Sequence, residues 1–272
     1  MPEGHTTHRL AQRHQQCYGG SPVAVSSPQG RFASAAAVLD GRVLHRAEAL
    51  GKHLFHVYTP ELVVHVHLGL YGAFTEEALP VQPPRGQVRM RLVGSTHWTD
   101  LRGPTVCELV TEVDMAAVGA RLGPDPLRRD ADPYRAWARI SRSRAALATL
   151  LMDQSVLAGV GNVYRAEVLF RHQLDPLQPG CELRADQWSA LWSDLVELMN
   201  DGVRRGRIDT VRPAHDPVRT GRPARQDRHG GEVYVYRRAG EPCLVCGTVV
   251  ARTAHAGRNL YWCPRCQQRP VP

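Results

Sequence analysis

The chain has 272 residues, a formal net charge of +8 and a sequence pI of about 9.4. This length accommodates two domains and a small additional unit, and the positive charge suits a polyanionic partner. No apolar run is long enough to cross a bilayer, and the N-terminus lacks the basic-then-apolar order of a secretory signal, so neither a membrane protein nor an exported protein is expected.

The first half of the chain predicts one helix followed by a β-rich domain. The helix covers residues 5–19, and Gly19 and Gly20 end it. Strand patterns separated by Gly and Pro then dominate to about residue 114. Such a series of short strands favours a two-layer β-sheet domain. The predicted strands cover residues 43–44, 54–58, 63–68 and 88–93.

Two of these strands alternate apolar and polar residues, which places the polar residues of each strand on one face. In the first strand they are His65 and His67, which indicate either a polar sheet face or a pair of metal ligands. In the second they are Arg89 and Arg91, which either contact phosphate or are simply solvated. The alternation alone does not choose between these alternatives.

The pattern becomes helical beyond a Gly- and Pro-rich linker at residues 123–133. Gly159 and Gly161 permit a tight turn between two helices, and Asn162 stands where the N-cap of the second helix is expected. The positive end of that helix suits an anion, although an ordinary capped helical hairpin has the same pattern. The predicted helices cover residues 134–140, 144–153, 162–172 and 186–205.

Positive charge is concentrated after the last of these helices. Residues 203–238 contain ten arginines and four acidic residues, an excess of six positive charges. Within this segment, residues 212–231 are predicted to form a disordered basic loop, and disorder is compatible with attraction to phosphate. Lysine, in contrast, occurs only once in the chain, as Lys52. Its compact ammonium is not replaced geometrically by a guanidinium, so Lys52 is a candidate functional residue.

Four cysteines near the C-terminus predict a metal-stapled finger. They have the spacing C-x2-C-x16-C-x2-C, and two such knuckles supply the four tetrahedral ligands that zinc prefers. Strand residues 249–250 and a turn at 257–259 lie between the knuckles. A segment this short needs a staple, and zinc binding contributes on the order of 10–16 kcal/mol of folding free energy. The predicted ligands are Cys243, Cys246, Cys263 and Cys266.

Two disulfides are the alternative interpretation of these four cysteines. The knuckle spacing and the lack of a secretory segment favour one structural zinc ion instead. The three other cysteines, Cys17, Cys107 and Cys181, are expected to be reduced thiols in a cytoplasm.

The chain begins Met1-Pro2-Glu3-Gly4. Removal of the initiator methionine would expose the secondary amine of Pro2, which can attack an electrophilic carbon and form an iminium. Glu3 would lie beside that amine and could give or take a proton. Many chains begin with Met-Pro, so this pattern acquires weight only in combination with others.

Taken together, four segments resemble the formamidopyrimidine-DNA glycosylase and endonuclease VIII family of DNA repair enzymes, and the start Met-Pro-Glu-Gly-His-Thr is most similar to its actinobacterial endonuclease VIII group. Their order and spacing match the family over essentially the whole chain. The segments are residues 1–4 (MPEG), 51–54 (GKHL), 159–170 (GVGNVYRAEVLF) and 257–267 (GRNLYWCPRCQ).

The resemblance implies an α+β multidomain fold: an N-terminal β-sandwich with flanking helices, a helical helix–two-turn–helix domain and a zinc-ribbon finger. The expected boundaries divide the chain into a catalytic domain, a linker, a DNA-binding domain, the basic loop and the finger. They lie at residues 1–122, 123–133, 134–211, 212–231 and 232–272.

The resemblance also implies a bifunctional DNA glycosylase and AP lyase of base excision repair. Pro2 would attack C1′ of the damaged nucleotide, Glu3 would move protons at the sugar, and Lys52 would contact the phosphate or sugar near the lesion. Asn162 and Arg258 would hold backbone phosphates, one from the helix turn and the other from the finger. Zinc would be structural, and no redox cofactor or catalytic metal is expected.

Leu70 and Tyr71 align with the intercalating loop of the endonuclease VIII branch, and burial after a strand is the alternative interpretation. Gly69 precedes them where the family often has a polar residue, and His5-Thr6-Thr7 replaces a second acid found in many members. The void-filling Arg and Phe of the glycosylase branch have no confident match, with Arg102 a weak candidate. Oxidised pyrimidines are therefore favoured over 8-oxoguanine as substrates.

The expected partner is damaged DNA, whether double-stranded, in a bubble or single-stranded. The protein is expected to be a monomer in the bacterial cytoplasm, associated with the nucleoid. A non-catalytic zinc-ribbon DNA-binding protein on the same scaffold is the alternative function.

Overall fold

The computed structural model describes residues 2–226 and 231–268. The chain divides into two compact units, Met1–Arg121 and Leu122–Pro272. This division falls beside the predicted linker at residues 123–133. The predicted boundaries between the DNA-binding domain, the basic loop and the finger stay predictions. None of the helices in the described part of the chain combines the length and apolarity that a bilayer span requires.

The N-terminal unit is a sandwich of two antiparallel sheets with three helices. One sheet has five strands in the order β2-β1-β7-β8-β6, and the other has four in the order β3-β4-β5-β9. The helices are α1 (Gly4–Tyr18), α2 (Ala33–Leu39) and α3 (Glu112–Ala120). The strands are β1 (Pro22–Ser26), β2 (Arg42–Val43), β3 (Arg46–Leu50), β4 (His53–Thr59), β5 (Leu62–His67), β6 (Ala73–Ala78), β7 (Val88–Val93), β8 (His97–Arg102) and β9 (Val106–Val110).

The main core of this unit lies between the two sheets. It joins Val23 and Leu92 of the five-stranded sheet to Leu54 and Val66 of the four-stranded sheet, and all four side chains are fully buried. Burial of apolar side chains from both layers is what makes a sandwich stable, so the predicted two-layer β domain is confirmed.

Helix α1 packs along β3 in the antiparallel direction. Near its end, Gly20 donates to the carbonyl of Leu44 at 2.7 Å, whereas one turn earlier the Gln15 side chain accepts the backbone N–H of Ala47 at 2.7 Å. Because the strand residue number rises as the helix residue number falls, the start of α1 points toward the end of β3. This direction decides which residues share the site described below.

Strand β5 has two buried faces, which corrects the prediction of a polar sheet face. Its outer face meets α3 through a small core that contains Phe55, Val63 and Met115. His65 lies on this outer face and is only 7% exposed. Neither α2 nor α3 was predicted, although Thr111 and Asp114 form the capping box that starts α3.

Arg91 is neither solvated nor available to phosphate. It is 6% exposed, its Nε donates to Asp100 Oδ1 at 2.6 Å, and its guanidinium lies 4.7 Å from the centroid of the Trp98 ring. A buried guanidinium requires such partners, so this arginine stabilises the five-stranded sheet.

The C-terminal unit contains five helices and one β-hairpin among its described residues. A single large core joins the helices to the finger, and it includes Leu169, Leu195, Tyr234 and Leu260. The helices are α4 (Pro133–Ile140), α5 (Leu147–Leu150), α6 (Asn162–Arg171), α7 (Ala185–Arg205) and α8 (Pro217–Thr220). The hairpin strands are β10 (Ala251–His255) and β11 (Arg258–Trp262).

Three local predictions in this unit are wrong. The helix predicted at residues 144–153 is the single short helix α5, because the backbone of Ala146 instead bridges to Pro179. The N-cap of α6 is Gly161, and Asn162 is the first helical residue. The hairpin turn lies at Ala256 and Gly257, whose positive φ angles of 46° and 72° suit a two-residue turn, so residues 258 and 259 belong to β11.

The segment predicted as a disordered basic loop contains local structure where it is described. A 3-10 turn at Pro213–His215 precedes α8, which Asp216 caps by accepting the backbone N–H of Val218 at 2.8 Å. Arg222 then pairs with Glu232 at 2.6 Å. These polar contacts supply order that composition does not reveal. Residues 227–230 of the predicted loop lie outside the described residues.

Candidate functional site

The start of α1 places an amine-bearing residue beside a buried carboxyl group. Pro2 is partly exposed, and Glu3 is the N-cap residue of α1 and fully buried. The Glu3 carbonyl accepts the backbone N–H of Thr6 at 2.9 Å, whereas its side chain does not make the capping hydrogen bond. The positive end of a helix favours negative charge at this position. Met1, whose removal would expose the Pro2 amine, lies outside the described residues.

Lys52 lies at the same end of the sandwich as Glu3. From Gln15 back to Glu3, α1 advances about 18 Å at about 1.5 Å per residue. From Ala47 to Lys52, the strand advances about 17 Å at about 3.3 Å per residue. Since Gln15 contacts Ala47 and the two elements are antiparallel, both paths end at a similar level. The structure therefore brings Pro2, Glu3 and Lys52 to one end of the unit.

The loop that follows β5 presents two large apolar side chains at this end. Leu70 is 49% exposed and Tyr71 is 86% exposed, which excludes the alternative that they are buried after the strand. Gly69 has φ of 67°, and a Cβ there would collide with the Thr105 hydroxyl, so this position requires glycine. The geometry thus explains the departure from the family pattern at residue 69.

The loop and the lysine turn are neighbours. His53 at the start of β4 pairs with His67 at the end of β5. The turn before β4 and the loop after β5 therefore lie at the same end of these two strands. Lys52 follows Gly51, which has φ of 57° and so forms a left-handed turn.

Several histidines in the N-terminal unit have a pKa that burial lowers. Burial lowers the pKa of His5 and His56 to about 4, and it lowers the pKa of His53, with help from His65, His67, Arg121 and Lys52, to about 3. His14 and His56 contact each other through ring nitrogens 2.9 Å apart, and both are fully buried. At neutral pH these rings carry no charge, so Lys52 is not surrounded by imidazolium ions.

In the C-terminal unit, the start of α6 is joined to the finger hairpin. Asn162 Nδ2 donates to the Asn259 carbonyl at 3.0 Å, and Arg165 donates to the same carbonyl at 3.1 Å and to Asn162 Oδ1. Arg258 precedes that carbonyl and is exposed. The structure therefore brings Asn162 and Arg258 together, but Asn162 is only 5% exposed and its carboxamide is engaged within the unit.

Glu167 is a buried carboxylate that fastens both ends of the basic segment. One carboxylate oxygen accepts the Thr210 hydroxyl at 2.6 Å and the backbone N–H of Tyr234 at 2.7 Å. The other accepts the backbone N–H groups of Val235 at 2.9 Å and Tyr236 at 2.8 Å. Thr210 and Tyr234 flank residues 212–231, so Glu167 closes that segment at its base.

The four predicted cysteine ligands form one cluster. Their sulfur atoms all lie within 4.8 Å of one another, and the Cys243–Cys266 and Cys246–Cys263 sulfurs are 3.9 and 3.5 Å apart. Tetrahedral zinc with bonds of about 2.3 Å requires sulfurs roughly 3.8 Å apart, whereas a disulfide requires about 2.05 Å. The donor set therefore fits one structural zinc ion and not two disulfides.

A second group of side chains among residues 2–226 and 231–268 has metal-ligand character, namely Cys17, Glu76 and His97. Arg13 already donates to Glu76 at 2.6 Å and lies 3.1 Å from His97 Nε2. This guanidinium supplies the positive charge, and we assign no metal there. The histidine pair that sequence suggested as metal ligands, His65 and His67, is in neither group.

Sequence reasoning missed Glu167, Arg165 and the buried histidines. A sequence signal was available for the first two, because Arg165 and Glu167 interrupt an otherwise apolar stretch at residues 163–170, which is typical of a buried helix. A charged residue inside such a helix must have internal partners. The histidines carry no comparable pattern, since burial of His65 depends on the side of the sheet that α3 covers and burial of His14 and His56 depends on the packing of α1 against β4.

Family descriptions match three parts of the chain. Residues 1–107 match the formamidopyrimidine-DNA glycosylase N-terminal domain, and residues 122–212 match the H2TH domain of the same glycosylase. Residues 240–269 match a zinc finger found in formamidopyrimidine-DNA glycosylase and isoleucyl-tRNA synthetase.

Curated relatives align over nearly the full length. The chain is 59% identical to "Endonuclease 8 1" of Mycobacterium tuberculosis, covering 98% of this chain and 100% of that protein. It is 34% identical to "Probable endonuclease 8 2" of Streptomyces coelicolor, covering 100% and 96%. It is 30% identical to a formamidopyrimidine-DNA glycosylase of Thermosynechococcus vestitus, covering 84% and 81%.

Solved structures share the fold. The Lactococcus lactis formamidopyrimidine-DNA glycosylase, in complex with DNA containing N7-benzyl-Fapy-dG, superposes with a TM-score of 0.79 at 20% identity. The match covers 98% of this chain and 100% of that one. The α+β multidomain fold predicted from the sequence, with its zinc-ribbon finger, is thereby confirmed.

Proposed function

This chain belongs to the formamidopyrimidine-DNA glycosylase and endonuclease 8 family, and we propose that Pro2 is its nucleophile. As a member of that family it is a DNA glycosylase and AP lyase of base excision repair, and it binds DNA. The observation that carries this proposal is the placement of Pro2 and the fully buried Glu3 at the level of Lys52. The alternative of a non-catalytic DNA-binding protein is set aside by the full-length similarity to endonuclease 8.

The amine of Pro2 attacks C1′ of the damaged nucleotide once Met1 has been removed. A bond forms between the proline nitrogen and C1′ as the bond from C1′ to the base breaks, and the departing base takes a proton. Opening of the sugar ring leaves a cationic iminium at C1′, with the ring oxygen protonated. The cation makes the C2′ proton easier to remove, and elimination of the 3′ phosphate then cuts the strand.

Glu3 moves the protons of this sequence. A buried carboxyl group at a helix N-terminus is held in a fixed position beside the amine, and it can protonate the ring oxygen or accept a proton. As a carboxylate it also stabilises the adjacent iminium through charge. Lys52 would hold the phosphate or sugar next to the lesion as a compact positive charge.

The damaged base must leave the stack to reach Pro2, and unstacking costs a few kcal/mol. Leu70 and Tyr71, exposed at the tip of their loop, would fill the resulting gap in the duplex. Exposed apolar side chains at the same end as the nucleophile support this role. Arg258 would hold a backbone phosphate from the finger, and Asn162 would support this contact from α6 through its hydrogen bond to the Asn259 carbonyl.

Oxidised pyrimidines are the proposed substrates. Arg102, the only candidate for a void-filling arginine, donates to Asp100 and Thr75 within the N-terminal unit at 2.7 Å each, which keeps it in the sheet. A panel of oligonucleotides should show faster incision of oxidised pyrimidines than of 8-oxoguanine. The reverse order would assign the chain a purine substrate.

The strand context, oligomeric state and location belong to the same proposal. We expect a monomer that acts on damaged DNA in the bacterial cytoplasm, in association with the nucleoid. The strand context is checked by measuring incision of one lesion placed in duplex, bubble and single-stranded DNA. The oligomeric state is checked by sedimentation of the protein alone.

Borohydride reduction tests the nucleophile. The protein should form a covalent adduct with DNA that carries an abasic site. Pro2→Gln has a large second residue that retains Met1, so it leaves no free amine at residue 2 and should lower the trapping rate at least about 100-fold, as removal of a nucleophile does. Pro22→Ala, at the exposed start of β1, is the matched control and should trap normally. Equal trapping by the Pro2 variant would reject the proposed nucleophile.

A further inference from the structure

The loop with the two exposed apolar side chains, residues 68–72, lies against a second loop of the N-terminal unit. We name the first the wedge loop and the second, residues 103–105 between β8 and β9, the brace loop. Thr105 donates its backbone N–H to the His67 carbonyl at 2.9 Å, directly before the wedge loop. Its hydroxyl packs so closely on Gly69 that a Cβ added there would lie 1.9 Å from the hydroxyl oxygen. One side chain of the brace loop thus fills the space beside the turn that begins the wedge loop.

A second contact lies at the tip of the wedge loop. A Cβ at Gly103 would lie 3.3 Å from the Tyr71 carbonyl oxygen, so the brace loop also passes close to the backbone of the most exposed residue of the tip. At the base, Gly72 donates its backbone N–H to the Leu68 carbonyl at 2.9 Å, and Leu68 is buried in the main core. The backbone of the wedge loop is therefore contacted at its base and at its tip, while the side chains of Leu70 and Tyr71 stay exposed.

Arg102, the last residue of β8, anchors the start of the brace loop. Its guanidinium donates to Asp100 Oδ2 at 2.7 Å, to the Thr75 hydroxyl at 2.7 Å and to the Arg85 carbonyl at 2.9 Å. These partners lie on β8, on β6 and in the segment before β7, and Asp100 is fully buried. Charge-assisted hydrogen bonds in three directions fix a guanidinium. The strand end from which the brace loop leaves is therefore held in place.

We propose that the brace loop holds the wedge loop in position against the base stack, and that Thr105 is the positioning residue through which it acts. The proposal rests on the role proposed for Leu70 and Tyr71 in filling the gap in the duplex. Thr105 contacts the backbone at Gly69 and so acts on the two side chains indirectly, without a part in the chemistry.

A wedge needs support because apolar side chains inserted between base steps must unstack them. A loop that gives way loses this insertion, and a misplacement of about 1 Å in an active site can lower a rate by up to about 100-fold. A lesion that is already single-stranded costs less to expose. The brace loop should therefore matter for a lesion in duplex DNA and have little effect on the same lesion in a single strand.

Substitution of Thr105 tests the proposal with one thymine glycol placed in duplex or single-stranded DNA. Thr105→Ala removes the hydroxyl that packs on Gly69, and the position is exposed, so the core is left intact. Single-turnover incision should fall about tenfold on the duplex and less than about twofold on the single strand. Thr105→Ser keeps the hydroxyl and should incise both substrates at nearly the native rate.

A double-mutant cycle shows whether Thr105 acts through the wedge. In a protein that carries Leu70→Ala and Tyr71→Ala, the change Thr105→Ala should have no further effect on duplex incision, because the side chains being positioned are gone. Thr96→Ala is the matched control, since Thr96 is also an exposed threonine but precedes β8 at the other end of that strand. It should incise both substrates at the native rate.

An unchanged duplex rate for Thr105→Ala would overturn the proposal. Equal losses on duplex and single-stranded DNA, or the same loss in the protein without the wedge side chains, would show that Thr105 only stabilises the fold and would overturn it as well. Native duplex incision by the Leu70→Ala, Tyr71→Ala protein would reject the wedge and the brace together. Failure of the native protein to form a borohydride adduct would instead reject the proposed nucleophile, so these failures are distinguishable.

Discussion

The two units of the molecule hold their functional residues by different means. In the N-terminal unit, the proposed catalytic residues Pro2, Glu3 and Lys52 are brought to one level by the direction of α1 along β3. In the C-terminal unit, charged groups bind internal carbonyls and N–H groups directly, and four cysteines supply a metal site. The proposed catalytic residues are thus placed by packing, whereas the proposed DNA-binding residues are placed by buried polar contacts and by the metal site.

The largest expected effect comes from breaking the metal site. Cys263→Ser removes one of four ligands from a finger that depends on zinc for on the order of 10–16 kcal/mol of folding free energy. The finger should unfold, and strand incision should fall below detection. Zinc content and incision are measured together, with Cys181→Ser, at an exposed cysteine outside the cluster, as the control. Normal incision by the zinc-free variant would show that the finger is dispensable.

A smaller loss is expected at Glu167. Glu167→Ala leaves three backbone N–H groups and the Thr210 hydroxyl without their acceptor in a buried place, which should lower the free energy of unfolding by about 3 kcal/mol or more. Denaturant unfolding measures this change. Glu197→Ala, at an exposed position on α7, should change it by less than about 0.5 kcal/mol. Similar effects of the two variants would contradict the assigned role of Glu167.

Acid should weaken the N-terminal unit before the C-terminal unit. Burial lowers the pKa of His5 and His56 to about 4, below the roughly 6.5 of an unfolded histidine. The unfolded state therefore binds more protons between these values, and stability falls as pH falls through that window. Each histidine should lower the free energy of unfolding by about 2 kcal/mol at pH 5 relative to pH 7.5.

The C-terminal unit has a dependence of the same direction, but over a lower pH range. Burial alone would raise the pKa of Asp194, but hydrogen bonds from His172 and Arg171 lower it to about 2. Its stabilising effect is present above about pH 3.8 and is lost below it. Amide hydrogen exchange at pH 5 and 7.5, corrected for the intrinsic rate and with zinc present, should show lost protection in α1 and β4 but not in α7. Equal protection in all three would reject the histidine account.

The smallest effect is expected at the finger surface. Arg258→Ala should weaken binding to many DNA sequences about equally, by about 1 kcal/mol, and should reduce the slope of log affinity against log salt by about one. Titrations at several salt concentrations measure both quantities. Arg252→Ala, at an exposed position on the other strand of the hairpin, is the control. An unchanged slope for the Arg258 variant would remove it from the DNA interface.

Sequence predicted most reliably where one local pattern decides the structure. The amphipathic helix at 186–205 is observed as Ala185–Arg205, and the cysteine spacing gave the metal cluster directly. Helix α5 was overestimated because tertiary bridging of Ala146 overrides its helical pattern. The hydrogen-bonded contacts among His53, His65 and Glu108 could not be predicted, because they depend on the register of β4, β5 and β9.

The candidate site shows the same division. Pro2 and Glu3 were candidates from the chain start and Lys52 from being the single lysine. Only the resemblance joined them in one site, because a linear sequence does not show that residues 3 and 52 lie at one level. Asn162 was assigned a capping position that Gly161 occupies, because a shift of one residue at a helix start is not encoded by composition. Exposure of Leu70 and Tyr71 became evident only in the fold, where the left-handed turn at Gly69 precedes them.

Mapping the reduced adduct tests the central claim most directly. After reaction with abasic-site DNA, borohydride reduction and nuclease digestion, peptide mass spectrometry should locate the sugar remnant on Pro2 at a chain start that lacks Met1. A remnant on Lys52 or any other side chain, or a native protein that carries none, would contradict the account.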